Sequence, residues 1–245
     1  MRKMNLPDIA TSGPWTHGFF DDFDHIVTGD RWTTIIADSG TAASVGDAVG
    51  GILALSTSAT DNDEAYITTT GEIFLVADKK PMWVEARIQF TEANTDDANV
   101  VFGVAQEAAA NLLVDDGAGV ATTLDGALWY KVDGGTRWQV ASSNATTQTT
   151  TDTAETAGGS SYHTLGIYIE PVNSADAEVT FWIDTAGGRN LAPVRENGVS
   201  PRAPSIKHTV SISGMAEMHV VCGNKAGAAN NETLNIDYIQ AWQKR

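Results

Sequence analysis

The chain has 245 residues, 42% of them apolar, including 7 Trp, 7 Phe and 5 Tyr, and 31 Asp plus Glu against 15 Lys plus Arg give a formal net charge of −16. That much apolar and aromatic side chain builds one sizeable core and excludes a disordered chain, while the negative field repels nucleic acid and anionic membranes. The single cysteine, Cys222, leaves no internal disulfide, and no window approaches the ~18 apolar residues of a membrane-spanning helix.

Residues 1–18 contain Pro7, Gly13, Pro14 and Gly18 with little periodicity and are expected to form an extended N-terminal arm. No apolar stretch follows Arg2 and Lys3, so no cleaved secretory signal is expected. Trp15, Phe19, Phe20 and Phe23 anchor the end of the arm, and residues 19–245 read as a single domain. Alternating or β-branched runs then recur between turn signals, giving expected strands at 32–37, 52–56, 65–69, 82–90, 100–105, 127–132 and 136–142. The second half adds 162–170, 179–184, 209–213, 216–222 and 233–243.

The alternation is clearest from Trp83 to Phe90, where Val84, Ala86, Ile88 and Phe90 share one face and Glu85, Arg87 and Gln89 the other. Asp133-Gly134-Gly135 supplies the positive φ angles of a tight hairpin between Leu128 and Val140. Residues 104–114 are Ala- and Leu-rich, but Asn111 and Asp115-Asp116-Gly117 limit them to a short helix or turn. The Thr-rich stretch 142–161 reads either as a long loop or as an exposed β-ribbon. The fold class that follows is all-β, a sandwich of two antiparallel sheets.

Chemistry-bearing motifs are sparse. Gly117-Ala118-Gly119 lacks the third glycine and the helix of a dinucleotide site, and the five histidines are scattered. Asp22 and Asp24 fall on one side of an extended segment and could face one Ca²⁺, although a solvated acidic turn reads the same way. Glycoside hydrolysis needs two carboxylates flanking the bond. Glu85 has Arg87 and Gln89 as its same-face neighbours, and Glu170, Glu178 and Glu217 are isolated, so the chain is expected not to be an enzyme. Trp129, Tyr130, Trp138 and Trp182 could offer flat rings to sugars, or fill the core.

Several segments together resemble the concanavalin-A-like lectin/glucanase superfamily, including its laminin-G-like and laminarinase-like branches. They are Phe20-Asp21-Asp22-Phe23-Asp24, Gly50-Gly51-Ile52-Leu53-Ala54-Leu55, the strand from Met82 to Phe90, Tyr162 to Ile167 with Val179 to Asp184, and Leu234-Asn235-Ile236-Asp237-Tyr238-Ile239. The resemblance implies a jelly roll, and a structural Ca²⁺ held by Asp22 or Asp24, the carbonyl of Gly51 and Asp237. It does not carry over catalysis, because the Glu-x-Asp-x-x-Glu strand of laminarinase-like members is missing.

The function expected first is that of a bacteriophage capsid decoration protein. It would be made in the host cytoplasm, reside on the virion, bind capsid or other virion proteins through the arm, and form homo-oligomers, with no nucleic-acid or membrane partner. The alternative is a carbohydrate-binding, lectin-like module that takes a glycan on Trp129, Trp138 or Trp182. A glycoside hydrolase of the same fold is the third reading.

Overall fold

A computed structural model describes residues 15–91, 97–107, 109–145 and 147–245. Its strands are β1 (Thr16–Asp21), β2 (Trp32–Ile36), β3 (Thr41–Ser44), β4 (Leu53–Ser56), β5 (Glu64–Thr69), β6 (Met82–Thr91), β7 (Ala98–Ala105) and β8 (Gly126–Lys131). They continue with β9 (Arg137–Asn144), β10 (Thr147–Thr156), β11 (His163–Pro171), β12 (Asp176–Asp184), β13 (Ala192–Pro193), β14 (Lys207–Ser211), β15 (His219–Ala226) and β16 (Thr233–Lys244). The first sheet runs β13-β12-β11-β6-β16-β4-β3, with β1 also on β16 and β14 also on β12; the second runs β10-β9-β8-β7-β15-β5-β2. The expected all-β sandwich of two antiparallel sheets is the architecture observed.

Alternation builds the core. Val84, Ala86, Ile88 and Phe90 of β6 meet Phe102, Trp129, Trp138 and Cys222 of the second sheet, all buried. Val84, Ile88, Phe90 and Phe102 each contribute roughly 1.5–3 kcal/mol on leaving water. Trp129 packs edge-on to Trp138 and Phe181 at centroid distances of 6.1 and 5.9 Å. Both indoles find acceptors inside: Trp129 donates to the Gly166 carbonyl at 3.0 Å, and Trp138 to His163 Nδ1 at 2.9 Å. Burial pushes the Cys222 thiol well above its usual range, so it stays protonated in the core.

Two elements extend what the sequence shows. Thr16–Gly18, expected in the arm, belong to β1 and pair with Trp242–Lys244; the rest of the arm, residues 1–14, lies outside the described residues. The Thr-rich stretch is the ribbon of its two readings, because β-branched Thr147–Thr156 pairs along β9. The 104–114 window continues β7 to Ala105, and the helical structure among the described residues is a 3-10 turn at Asp115–Gly117.

A second apolar cluster lies on the outward face of the second sheet. Tyr66, Val101, Leu128, Tyr130 and Val221 pack there under Leu112, Leu113, Val120 and Leu124. Residues 109–121 thus form a strap across that face. Lys225 of β15, fully buried, fastens it: Nζ donates to Glu64 Oε1, Asn111 Oδ1 and the Leu113 carbonyl, each at 3.0 Å, and to Asp115 Oδ1. Glu64 in turn accepts from the Asn111 backbone N–H at 2.9 Å and from Tyr66 Oη at 3.0 Å. Burial, reinforced by the Glu64 charge, holds the Tyr66 phenol well above its usual range.

At the seam between the sheets, His208 of β14 is hydrogen-bonded through Nδ1 to the Ser142 hydroxyl of β9 and through Nε2 to the Thr151 hydroxyl of β10, both at 3.0 Å. Burial lowers its pKa to about 4, and burial also lowers that of His163. An unfolded histidine takes up its proton near about 6.5, so between that value and about 4 the unfolded chain binds more protons. Stability is therefore full above about pH 6.5 and falls as the pH drops through the folded value, by on the order of 3 kcal/mol for His208 alone. Denaturant melts across this window should show the loss, and a His208→Gln variant should lose less between the two ends.

Candidate functional site

The predicted sugar platforms separate by face. Trp129 and Trp138 are each 0% exposed and lie in the main core, so neither can stack on a sugar. That assignment is corrected: on β8 and β9 their parity points them at the first sheet, and their N–H groups are bonded inside. Trp182, on β12, has the opposite parity and lies half-buried on the outward face of the first sheet.

The residues of the expected Ca²⁺ site converge only in part. A Cβ on Gly51, at φ +73°, would sit 2.1 Å from the Asp22 carbonyl oxygen and 2.6 Å from the Asp24 nitrogen, so this glycine does meet the acidic turn. Asp22 and Asp24 border a cleft of about 300 Å³ that Asp21, His25 and Asp30 also line. Asp21 is engaged by the Phe23 N–H at 3.0 Å and the Trp32 indole at 2.9 Å. Asp237, however, is ion-paired with Arg87 at 2.7 Å, and that guanidinium lies 4.0 Å from the Tyr162 ring centroid.

Among the described residues no group of three or more His, Cys, Asp or Glu side chains could hold a metal. Calcium takes 6–8 oxygen ligands, and here the Asp237 carboxylate is already ion-paired with Arg87 through Oδ2, which leaves the expected set one free carboxylate short. Chelation should leave the melting temperature unchanged, whereas Arg87→Gln, which leaves Asp237 without its counter-charge, should lower it by a few degrees. A drop on chelation that Ca²⁺ restores would contradict this assignment.

The outward face of the first sheet is aromatic where a solvent-facing sheet is ordinarily polar. Cross-strand register sets its side chains in rows. One row holds Tyr168 of β11, Trp83 of β6 and Trp242 of β16, ending at Gly18 of β1. The next holds Trp182, Gly166, Glu85, Gln240 and Phe20, and a third holds Thr164, Arg87 and Tyr238. Two glycines let the indoles lie close to the sheet: a Cβ on Gly166 would come within 2.5 Å of the Trp83 ring, and one on Gly18 within 2.8 Å of Trp242.

Glu85 stands at the centre, 0% exposed. Its Oε1 accepts from Tyr238 Oη at 2.6 Å and its Oε2 from Trp83 Nε1 at 3.0 Å, while Arg189 Nε lies 3.6 Å away. The buried carboxylate fixes both rings, and burial with the Glu85 charge pushes the Tyr238 phenol well up. Trp182 meets Trp83 edge-on at 6.5 Å and donates to Thr180 Oγ1 at 3.1 Å; Phe20 lies 5.6 Å from Tyr238. The Tyr168 hydroxyl donates to Glu170.

Trp83, Tyr168, Tyr238 and Trp242 are the members of this face that the sequence reading missed. Trp83 was within reach, since it shares the parity of Glu85 and Arg87. Trp242 was hidden by the register shift between Ile236 and Tyr238, which reverses the alternation along β16.

No protein-family model matches the chain, and no curated protein matches it in sequence. Solved structures do match. The endo-1,3-beta-glucanase from Streptomyces sioyaensis is 14% identical with a TM-score of 0.59, over 95% of this chain and 98% of that one. Peanut lectin, solved with a 9mer peptide, is 10% identical with a TM-score of 0.58, over 94% and 97%. The endo-beta-1,4-glucuronan lyase from the fungus Trichoderma reesei is 10% identical with a TM-score of 0.56, over 91% and 94%. At these identities the likeness is one of fold, and it spans nearly the whole of each chain. The chain therefore has the jelly-roll fold of the concanavalin-A-like lectins, glucanases and lyases.

Proposed function

We propose that this protein binds carbohydrate on the outward face of its first sheet and does so without cleaving it. The observation that carries the reading is the set of aromatic rings, Phe20, Tyr168, Trp182, Tyr238 and Trp242, gathered on the solvent side of one sheet around the buried Trp83. A flat ring covers the apolar face of a pyranose, and the half-buried Thr180 lies beside Tyr168 and Trp182 to meet hydroxyls. Half-burial of Tyr168, Trp182, Tyr238 and Trp242 fixes each ring while leaving part of it open. The neighbours named as a lectin, a glucanase and a glucuronan lyase support a sugar ligand on this architecture.

Binding without cleavage is supported by the state of Glu85. Both its oxygens are bonded within the protein and its side chain has no exposed surface, so it orients rings and does not reach a bound sugar. The capsid-decoration reading rests on an arm of which residues 1–14 lie outside the described residues, and no neighbour named above concerns a virion. Carbohydrate binding is therefore the reading put forward here.

A glycan array followed by calorimetry should find a ligand, and Trp182→Ala and Trp242→Ala should each weaken it by about tenfold or more, near 1.4 kcal/mol, with the fold intact. Trp138→Ala, in contrast, should cost about 3–5 kcal/mol of stability. Absence of any glycan ligand, or binding indifferent to both surface variants, would overturn the reading.

A further inference from the structure

We infer that Asn197 is a site of spontaneous conversion to isoaspartate, and that the product loosens the cover which residues 195–197 lay over the outer edge of β10; this stands apart from the carbohydrate reading. Asn197 alone among the asparagines of the chain precedes a glycine. Both residues lie exposed in a turn. Gly198 has φ +77°, and a Cβ placed on it would meet nothing within 4 Å, so its nitrogen is open to approach with no side chain of its own in the way. Among the described residues neither the Asn197 carboxamide nor the Gly198 N–H is held by a hydrogen bond; Asn197 is bonded through its backbone N–H alone.

These are the conditions for ring closure. The Gly198 nitrogen gives up its proton to water and attacks Asn197 Cγ; the N–Cγ bond forms, the Cγ–Nδ2 bond breaks, and Nδ2 leaves as ammonia. Water then opens the cyclic imide. Attack on its α-carbonyl breaks the original peptide link, so the main chain runs on through Cβ and Cγ of an isoaspartate that carries a free α-carboxylate, whereas attack on Cγ gives aspartate. Overall a water enters and an ammonia leaves. Other asparagines are held back: Asn99 and Asn224 are buried with their amides donating to the Lys225 and Glu232 carbonyls, and Asn144 donates to the Ser211 carbonyl at 2.6 Å. Asn173 Oδ1 accepts from the Ala175 and Asp176 N–H groups at 2.6 and 2.9 Å.

The turn sits against a sheet edge. The Ala154 N–H donates to the Arg195 carbonyl at 2.8 Å and the Asn197 N–H to the Asp152 carbonyl at 2.9 Å, on either side of the antiparallel bridge between Thr153 and Glu196. Asn197 therefore stands opposite Asp152, and both are exposed. Conversion lengthens the main chain by a methylene and puts a carboxylate across from Asp152 and next to Glu196. Like charges directly opposite one another on paired strands destabilise the pairing. The N–H and carbonyl groups of β10 that the cover occupies are then released, and such groups on an edge strand are what another chain pairs with. The rest of the loop stays tied, since the Ile206 N–H donates to the Val194 carbonyl at 2.8 Å and both side chains are buried. The sandwich itself thus survives the change.

Incubation of the full chain at mildly alkaline pH tests the inference, read by peptide mapping and by methyl transfer from S-adenosylmethionine with a purified isoaspartyl methyltransferase. Asn197 should convert at least about tenfold faster than any other asparagine, and at a rate within about tenfold of that in the urea-unfolded chain. Asn197→Gln, whose imide would need a larger ring, should keep the fold and lose the methyl acceptance. Amide exchange at Ala154 should be about fivefold faster in the converted protein than in fresh protein or in Asn197→Gln. Freshly purified Asn197→Asp, which brings the charge without the added methylene, should show part of that rise. An Asn197 that survives in the folded protein while the unfolded chain converts, or methyl acceptance unchanged by Asn197→Gln, would overturn the site; conversion that leaves Ala154 exchange unchanged would overturn the loosening.

Discussion

The ammonium group of Lys225, sealed from solvent and shared among Glu64, Asn111, Leu113 and Asp115, decides which half of this sandwich faces outward with something to offer. Desolvating that charge is costly, and a buried ion pair is weak ground for stability in itself. Its effect is positional. Because the acceptors on Asn111, Leu113 and Asp115 belong to the strap, losing Lys225 would strand Glu64 in the interior, and the strap is thereby held at one place on the second sheet. With Leu112, Leu113, Val120 and Leu124 covering Tyr66, Val101 and Tyr130, that outward face becomes a second core. The first sheet is left to present its outward side chains to solvent.

The same device recurs there with the opposite result. Glu85 is as buried as Glu64, but its partners are the hydroxyl of Tyr238 and the indole of Trp83. A carboxylate that accepts from two aromatic side chains holds their rings in set orientations, the buried Trp83 beneath and the half-buried Tyr238 beside it. Close approach over Gly166 and Gly18 keeps Trp83 and Trp242 low against the sheet. The ion pair of Arg87 with Asp237, stacked on Tyr162, neutralises the neighbouring row from within the chain. An acid in this setting, with both oxygens bonded inside the protein, orients the aromatic rings beside it.

Much of the fold was legible because period-two alternation survives wherever one side of a strand meets the core. The β6 segment shows this best, with Val84, Ala86, Ile88 and Phe90 inward as read. Alternation does not say which of two outward faces will be covered, nor whether a tryptophan lies on the inward or outward parity of its sheet. Trp129, Trp138 and Trp182 therefore looked alike in sequence, although two are core and one is surface. The bulge near Asp237 shifted the phase of Tyr238 and Trp242, and Asp237 found Arg87 across the sheet, a contact far apart in sequence. Leu112 and Leu113, read as part of a short helix or turn, belong to the strap because their apolar cluster draws on five strands distant in sequence. In the Thr-rich ribbon, low complexity concealed a pattern that pairs well once β9 is beside it.

In the carbohydrate-binding proposal the ligand lies on the outward face of the first sheet, while the strap of residues 109–121 packs on that of the second. The chain's seven tryptophans sample both the faces and the core. Nuclear magnetic resonance of their indole N–H groups during titration with the tightest glycan ligand tests the claim most directly. Shifts are expected at the half-buried Trp182 and Trp242, with Trp129 and Trp138 unmoved. Shifts confined to other indoles, or to backbone resonances of residues 109–121, would contradict it.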